Sequence, residues 1–248
     1  MRTLVLKLEY DGTGFLGWQI QSEGRTVQGV LEEAIHTVLQ ADLRATAAGR
    51  TDAGVHATGQ VVHFRTDSDV MVDRLKKGLN GVLPPDVRVL ETALVTDDFH
   101  ARFSAVGRRY VYRIIRRPSA MRRHHAWHVA YPLDVDGMRR ACAPLSGRHD
   151  FTSFCQATST ADGTICEVRE LDWVEQDDEL RLHIEANRFL HHMVRTIVGT
   201  AVDIGRGRWP ESAMAEMLEA KDRRAAGANA PAHGLCLEAV RYPSEFGI

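Results

Sequence analysis

Residues 3 to 10, TLVLKLEY, have the apolar-rich pattern of a strand, and from 27 to 40 the period lengthens to that of a helix. Val27, Val30, Leu31, Ala34, Ile35, Val38 and Leu39 fall on one helical face. Residues 43 to 48 and 59 to 66 read as two strands around a glycine-rich connection. A short helix over 72 to 80 is closed by Asn80-Gly81 and Pro84-Pro85, and 87 to 95 is strand-like again. The order is β-α-β-β-α-β. The second half opens with a strand over 106 to 116, where Tyr110, Tyr112 and Ile114 alternate with Val111, Arg113 and Ile115. A helix near Asp134 to Leu145 and strands over 166 to 175 and 179 to 187 follow, the latter with Leu180, Leu182, Ile184 and Ala186 at period two. The spacing predicts a helix over 188 to 204 that buries Phe189, Leu190, Met193, Val194, Ile197, Val198, Ala201 and Val202. A second helix starts at Pro210, and LCLEAVRY closes the same order a second time. The chain therefore reads as α+β, two ferredoxin-like halves over 1–105 and 106–248 with mainly antiparallel sheets. Only element order supports the duplication, since no sequence repeat accompanies it.

Composition adds exclusions. The 248 residues are 44% hydrophobic and 26% charged, which is neither disordered nor collagenous. No apolar run approaches the roughly 18 to 20 residues of a membrane span. Lys7 and Glu9 interrupt the first apolar stretch and no small-residue cleavage site follows, so it reads as a strand rather than a leader. Cys142, Cys155, Cys166 and Cys236 fit no Cys-x-x-Cys metal spacing and are too sparse for a disulfide scaffold, which suits reduced thiols in a cytosolic protein.

Net charge is only −2, but the distribution is uneven. Between Phe99 and Leu133 there is no Asp or Glu, while Arg102, Arg108, Arg109, Arg113, Arg116, Arg117, Arg122 and Arg123 fall inside that stretch. One reading is a polyanion footprint. The other is a solvated basic face whose counter-charges come from elsewhere in the fold.

Gly12 to Gly17 spells G-x-G-x-x-G after a strand, the skeleton of a dinucleotide-binding turn. That mechanism needs the turn to open straight into a helix, and here Trp18 to Thr26 intervene. The alternative is a loop that brings backbone close to something else, or merely turns. His124 with His128, and His191 with His192, invite a metal reading, yet no set of three or four ligands at metal spacing accompanies them. In Gly49-Arg50-Thr51-Asp52-Ala53-Gly54, Arg50 and Asp52 lie two residues apart in a glycine-bounded loop. A carboxylate kept ionised by a nearby guanidinium suits a nucleophile, and a turn residue satisfying backbone N–H groups is the plainer reading. Arg108-Arg109-Tyr110 sets phosphate-capable arginines beside an aromatic that can stack an unpaired base, or that simply packs. Arg195 beside an apolar helical stripe calls for a carboxylate partner or a snorkelled position.

Taken together, YDGTGFLGWQ, GRTDAGVHA, NGVLPPDVRV, FHARFSAVGRRYVYRI, GRHDFTSF, NRFLHHMVRTIVGTAVDIGRG and AHGLCLEAVRYP resemble the bacterial tRNA pseudouridine synthase A family over about residues 3 to 242. The resemblance implies the pseudouridine synthase fold and a cofactor-free enzyme that isomerises uridine to pseudouridine at positions 38, 39 and 40 of the tRNA anticodon arm. It also implies a cytoplasmic homodimer whose subunits share one tRNA. Asp52 matches the catalytic aspartate, Arg50 the arginine of the same motif, and Tyr110 the tyrosine that contacts the target base. Arg195 resembles the basic residue that pairs with the aspartate, and Arg108 and Arg109 are candidate substrate contacts. A uridine inside a stem must be extruded before a carboxylate can reach C1′ of its ribose or C6 of its base. The competing class is a non-catalytic RNA-binding protein of two ferredoxin-like modules.

Overall fold

In the computed structural model, which describes residues 1–156 and 163–248, the alternate residues Leu4, Leu6 and Leu8 of β1 (Arg2–Tyr10) are wholly withdrawn from solvent. This follows from the period-two geometry of a strand with one face on a core. Helices α1 (Val27–Leu39) and α2 (Val72–Val82) bury Leu31, Ile35, Leu75 and Leu79. Thr26 caps α1 by accepting from the Gly29 N–H at 3.3 Å. β1 lies antiparallel between β3 (His56–Thr66) and β4 (Val87–Val95), and the two-residue β2 (Thr46–Ala47) adds to β3. The last strand, β10 (Leu235–Arg241), runs parallel to β3 through Cys236 opposite His56 and Leu237 opposite Ala57. A second cluster of Val5, Ala48, Val61, Phe99 and Ala101 is covered by Val95, Val240, Tyr242 and Phe246. By contacts, Met1–Gly107 and Cys236–Ile248 form one unit and Arg108–Leu235 the other. The sequence reading counts residues 236–248 with the second half; the structure groups them with the first.

In the second unit β5 (Gly107–Ile115) is antiparallel to β9 (Glu179–Ala186), β9 to β8 (Ile165–Gln176), and β8 to β7 (Gly147–Asp150). The short β6 (Trp127–His128) pairs in parallel with the end of β5. Helices α3 (Val135–Cys142), α4 (Met193–Gly205) and α5 (Ala213–Ala220) complete it. Its core centres on Tyr112, Phe151, Phe154, Trp173, Met193 and Ile197. The four cysteines are buried free thiols, and no helix of the described residues is long and apolar enough to cross a membrane.

The mixed α+β, mainly antiparallel class agrees with the sequence reading. Three elements differ in extent. The strand over 43–48 shrinks to β2, and the helix from Pro210 begins only at Ala213. The helix over 188–204 starts at Met193, because His192 takes a left-handed conformation (φ 66°) and the Asn187 Oδ1 accepts from the N–H groups of Arg188 and Glu167, both at 2.8 Å. Apolar spacing thus runs on through a segment that is not helical. β6 and β7, two and four residues long, are too short to leave a period.

Candidate active site

The loop between β2 and β3 carries Asp52, and two neighbouring segments of the first unit grip it. On one side is the glycine-rich stretch. The Trp18 N–H donates to the Thr51 carbonyl at 3.0 Å and the Gly54 N–H to the Phe15 carbonyl at 3.3 Å. A side chain at Gly12 would put its Cβ 2.1 Å from the Val55 carbonyl oxygen, and one at Gly17, where φ is +92°, 2.7 Å from that of Thr51. The glycines are there so that two backbones can touch. Gly12–Gly14 is one 3-10 turn and α1 waits until Val27, where the N–H groups of Val27 and Gln28 donate to the Gly17 and Trp18 carbonyls at 3.2 and 3.0 Å, so the donors a pyrophosphate would need are spent on the loop itself. The dinucleotide reading falls.

On the other side lies a buried polar network. The Tyr10 hydroxyl and the Thr51 Oγ1 are 2.7 Å apart, and the Gln60 Nε2 lies 3.4 Å from the Tyr10 oxygen and 2.8 Å from the Gly49 carbonyl. Tyr10, Thr51 and Gln60 are 2%, 6% and 0% exposed. Burial, the largest cause, pushes the Tyr10 phenol well above its ordinary pKa, so it is a neutral hydroxyl. The Gln60 Oε1 has no hydrogen-bond partner among the described residues, a cost of about 1–3 kcal/mol. A shift of register between Leu8 opposite Gln60 and Tyr10 opposite Ala57 sits beside this network, as bulges often do next to sites. None of these three side chains stands out in the sequence.

The Asp52 turn is closed by its main-chain carbonyl, which accepts from the Val55 N–H at 3.1 Å with Gly54 at φ +77°. Asp52 is half-buried and Arg50 exposed. Tyr10, Gln60 and the glycine turn therefore fix both ends of a short loop that offers a carboxylate and a guanidinium.

In the second unit, Tyr110 lies mid-β5 opposite Ile184, edge-on to Phe189 with ring centroids 5.2 Å apart. Arg195, in the first turn of α4, is half-buried and its Nε donates to the Ala230 carbonyl at 2.9 Å. Arg108 is buried and donates to the Asn187 carbonyl at 2.8 Å. Arg109 pairs with Glu170 at 3.0 Å. Both guanidiniums have partners within the protein's own fold. Most of the arginine-rich stretch behaves likewise. Arg113 meets Glu179 at 3.6 Å, Arg116 meets Glu175 at 2.5 Å, and Arg117 and Arg122 share Asp178 at 2.6 and 2.5 Å. The Arg122 hydrogen bond leads in holding the Asp178 carboxyl down to about 2. Arg123 differs: it is exposed, donates among the described residues to the Ala120 carbonyl, and lines an open cavity with Trp127, His128 and His233.

The chain matches a family model described as tRNA pseudouridine synthase over residues 8–104 and 141–243. It is 46% identical over 238 residues to a tRNA pseudouridine synthase A of Halalkalibacterium halodurans, covering 95% of this chain and 90% of that one. The proteins of the same name from Paramagnetospirillum magneticum and Bacillus subtilis are 45% and 44% identical, covering 98% and 95% of this chain and 96% and 97% of theirs.

Proposed function

The chain belongs to the tRNA pseudouridine synthase A family and is a tRNA uridine isomerase, and we propose that Asp52 is its nucleophile, acting on uridines 38, 39 and 40 of the anticodon arm. The observation that carries this reading is the Asp52 loop itself: a carboxylate and an exposed arginine on a segment anchored from two sides. Such rigidity is what a reacting group requires, since misplacement by about 1 Å can cost a hundredfold in rate.

The chemistry balances without a co-substrate. The C1′–N1 bond breaks, a C1′–C5 bond forms, the proton on C5 leaves and N1 gains one. An ionised Asp52 attacks C1′ or C6 and holds the intermediate covalently while the base turns over. Tyr110 offers a ring on which the extruded base stacks. The resemblance gives Arg195 the role of the basic partner of the aspartate and Arg50 that of the arginine in the aspartate's own motif. The resemblance extends the reading to a homodimer around one tRNA, which sedimentation of the chain with and without tRNA would test.

The experiment is release of tritium to water from a tRNA transcript labelled at uracil C5, with wild type and Asp52→Asn side by side. Wild-type release and loss of at least a thousandfold in Asp52→Asn, with tRNA binding retained, is the expected result. Equal release from both would dismiss Asp52 as the nucleophile. Tight binding with no release from either would favour a binding module.

A further inference from the structure

We infer that Gln60 is a positioning residue for the isomerisation, its amide fixing the loop of Asp52 through Gly49 and Tyr10; the inference rests on Asp52 being the nucleophile. Gln60 is wholly buried between Gly59 and Val61 in β3. Its Nε2 serves two acceptors, the Gly49 carbonyl at 2.8 Å and the Tyr10 oxygen at 3.4 Å, while its Oε1 is orphaned. Turning the amide over would set Oε1 against the Gly49 oxygen, so no flip relieves the orphan. A leucine of similar volume would fill the position with no polar atom left over, so packing alone does not account for glutamine.

What the amide does, and a leucine would not, is tie down both ends of residues 49–51. One tie is direct, to Gly49. The other passes through Tyr10: its oxygen accepts from Gln60, which leaves its proton for Thr51 Oγ1 at 2.7 Å. Asp52 is the next residue. A buried polar group that costs stability and orients a reacting neighbour is the arrangement expected where folding and function conflict.

The test uses the full chain and the C5-tritiated transcript, with Gln60→Leu, Tyr10→Phe, the double variant and Asp52→Asn. In each single variant kcat is expected to fall at least tenfold, with KM for tRNA within twofold of wild type. The melting temperature of Gln60→Leu is expected to be unchanged or raised. The double variant should lose less than the product of the two singles, since both act through one loop. Wild-type kcat in the singles, beside an inactive Asp52→Asn, overturns the positioning role alone. A lowered melting temperature with unchanged kcat per folded molecule also overturns it. If Gln60→Leu does not fold, Tyr10→Phe, which keeps ring and amide, carries the same expectations. Full turnover by Asp52→Asn removes the nucleophile beneath the inference.

Discussion

Tyr110 illustrates how much a single side chain can be asked to do. It is only 8% exposed, so its ring is held in place by β5 and by the edge of Phe189 before any RNA arrives, and little side-chain entropy remains to be lost on stacking. Base–aromatic stacking contributes about 1–3 kcal/mol. Tyr110→Phe should therefore keep most of the activity, whereas Tyr110→Leu should lose roughly tenfold or more in kcat/KM. Tritium release measured for both settles it, and equal rates would remove the stacking argument. Asp52, Arg50 and Tyr110 were candidates in the sequence through the motifs of the family it resembles, since residue type and spacing alone also fit a turn residue and a packed aromatic. Tyr10 and Gln60 were not: a tyrosine ending a strand and a glutamine inside one, fifty positions apart, become a network only when β1 and β3 pair.

At the scale of elements, the hairpin of β8 and β9 explains what the charge pattern left open. Glu170, Glu175, Asp178 and Glu179 lie outside the acid-free stretch in sequence but meet Arg109, Arg116, Arg117, Arg122 and Arg113 in space. A run of like charge along the chain says nothing about its neighbours across a sheet, and antiparallel pairing of β5 with β9 supplies them. Much of the basic stretch is thereby charge-compensated within the protein. Arg123 escapes this pairing, so Arg123→Ala should raise KM for tRNA about threefold to tenfold and lower the salt slope of binding by about one. Arg116→Ala, which breaks an exposed pair worth little, should change neither. A filter-binding titration over salt concentration distinguishes them, and identical slopes for the two variants would contradict the assignment. Element length decided what the sequence could show here too: β4 and α1 follow their periods, while the two-residue β6 that carries Trp127 leaves no pattern at all.

The whole molecule returns on itself, since the chain's last thirteen residues join the first unit. Tyr242 donates to the Ala101 carbonyl at 2.6 Å, and its ring and that of Phe246 pack on Phe99 with centroids 5.0 and 5.1 Å away. This closure buries His63, whose Nδ1 accepts from the Ala101 N–H at 3.2 Å. Burial above all, then the neighbouring His100 and Arg65, pulls His63 down to about 4. Burial also lowers His100 and, in the second unit, His233. Between pH of about 6.5 and 4 the unfolded chain thus binds more protons than the native one, so stability rises with pH across that window and is lost as pH falls through it. The half-buried, arginine-bonded Asp178 and Asp222, held down to about 2, contribute stability at neutral pH that is lost only as pH falls from about 4 towards 2. Acid destabilisation should therefore begin near pH 6.5, where the histidines start to titrate. His63→Asn tests this: its Oδ1 can still accept from Ala101 but does not titrate. The variant will melt lower at neutral pH, having lost the edge-to-face contact with Phe99 at 5.9 Å, so the slope is the readout. Melting temperature against pH should fall less steeply from 6.5 to 4 in His63→Asn than in wild type, and parallel curves would place the proton uptake on other groups.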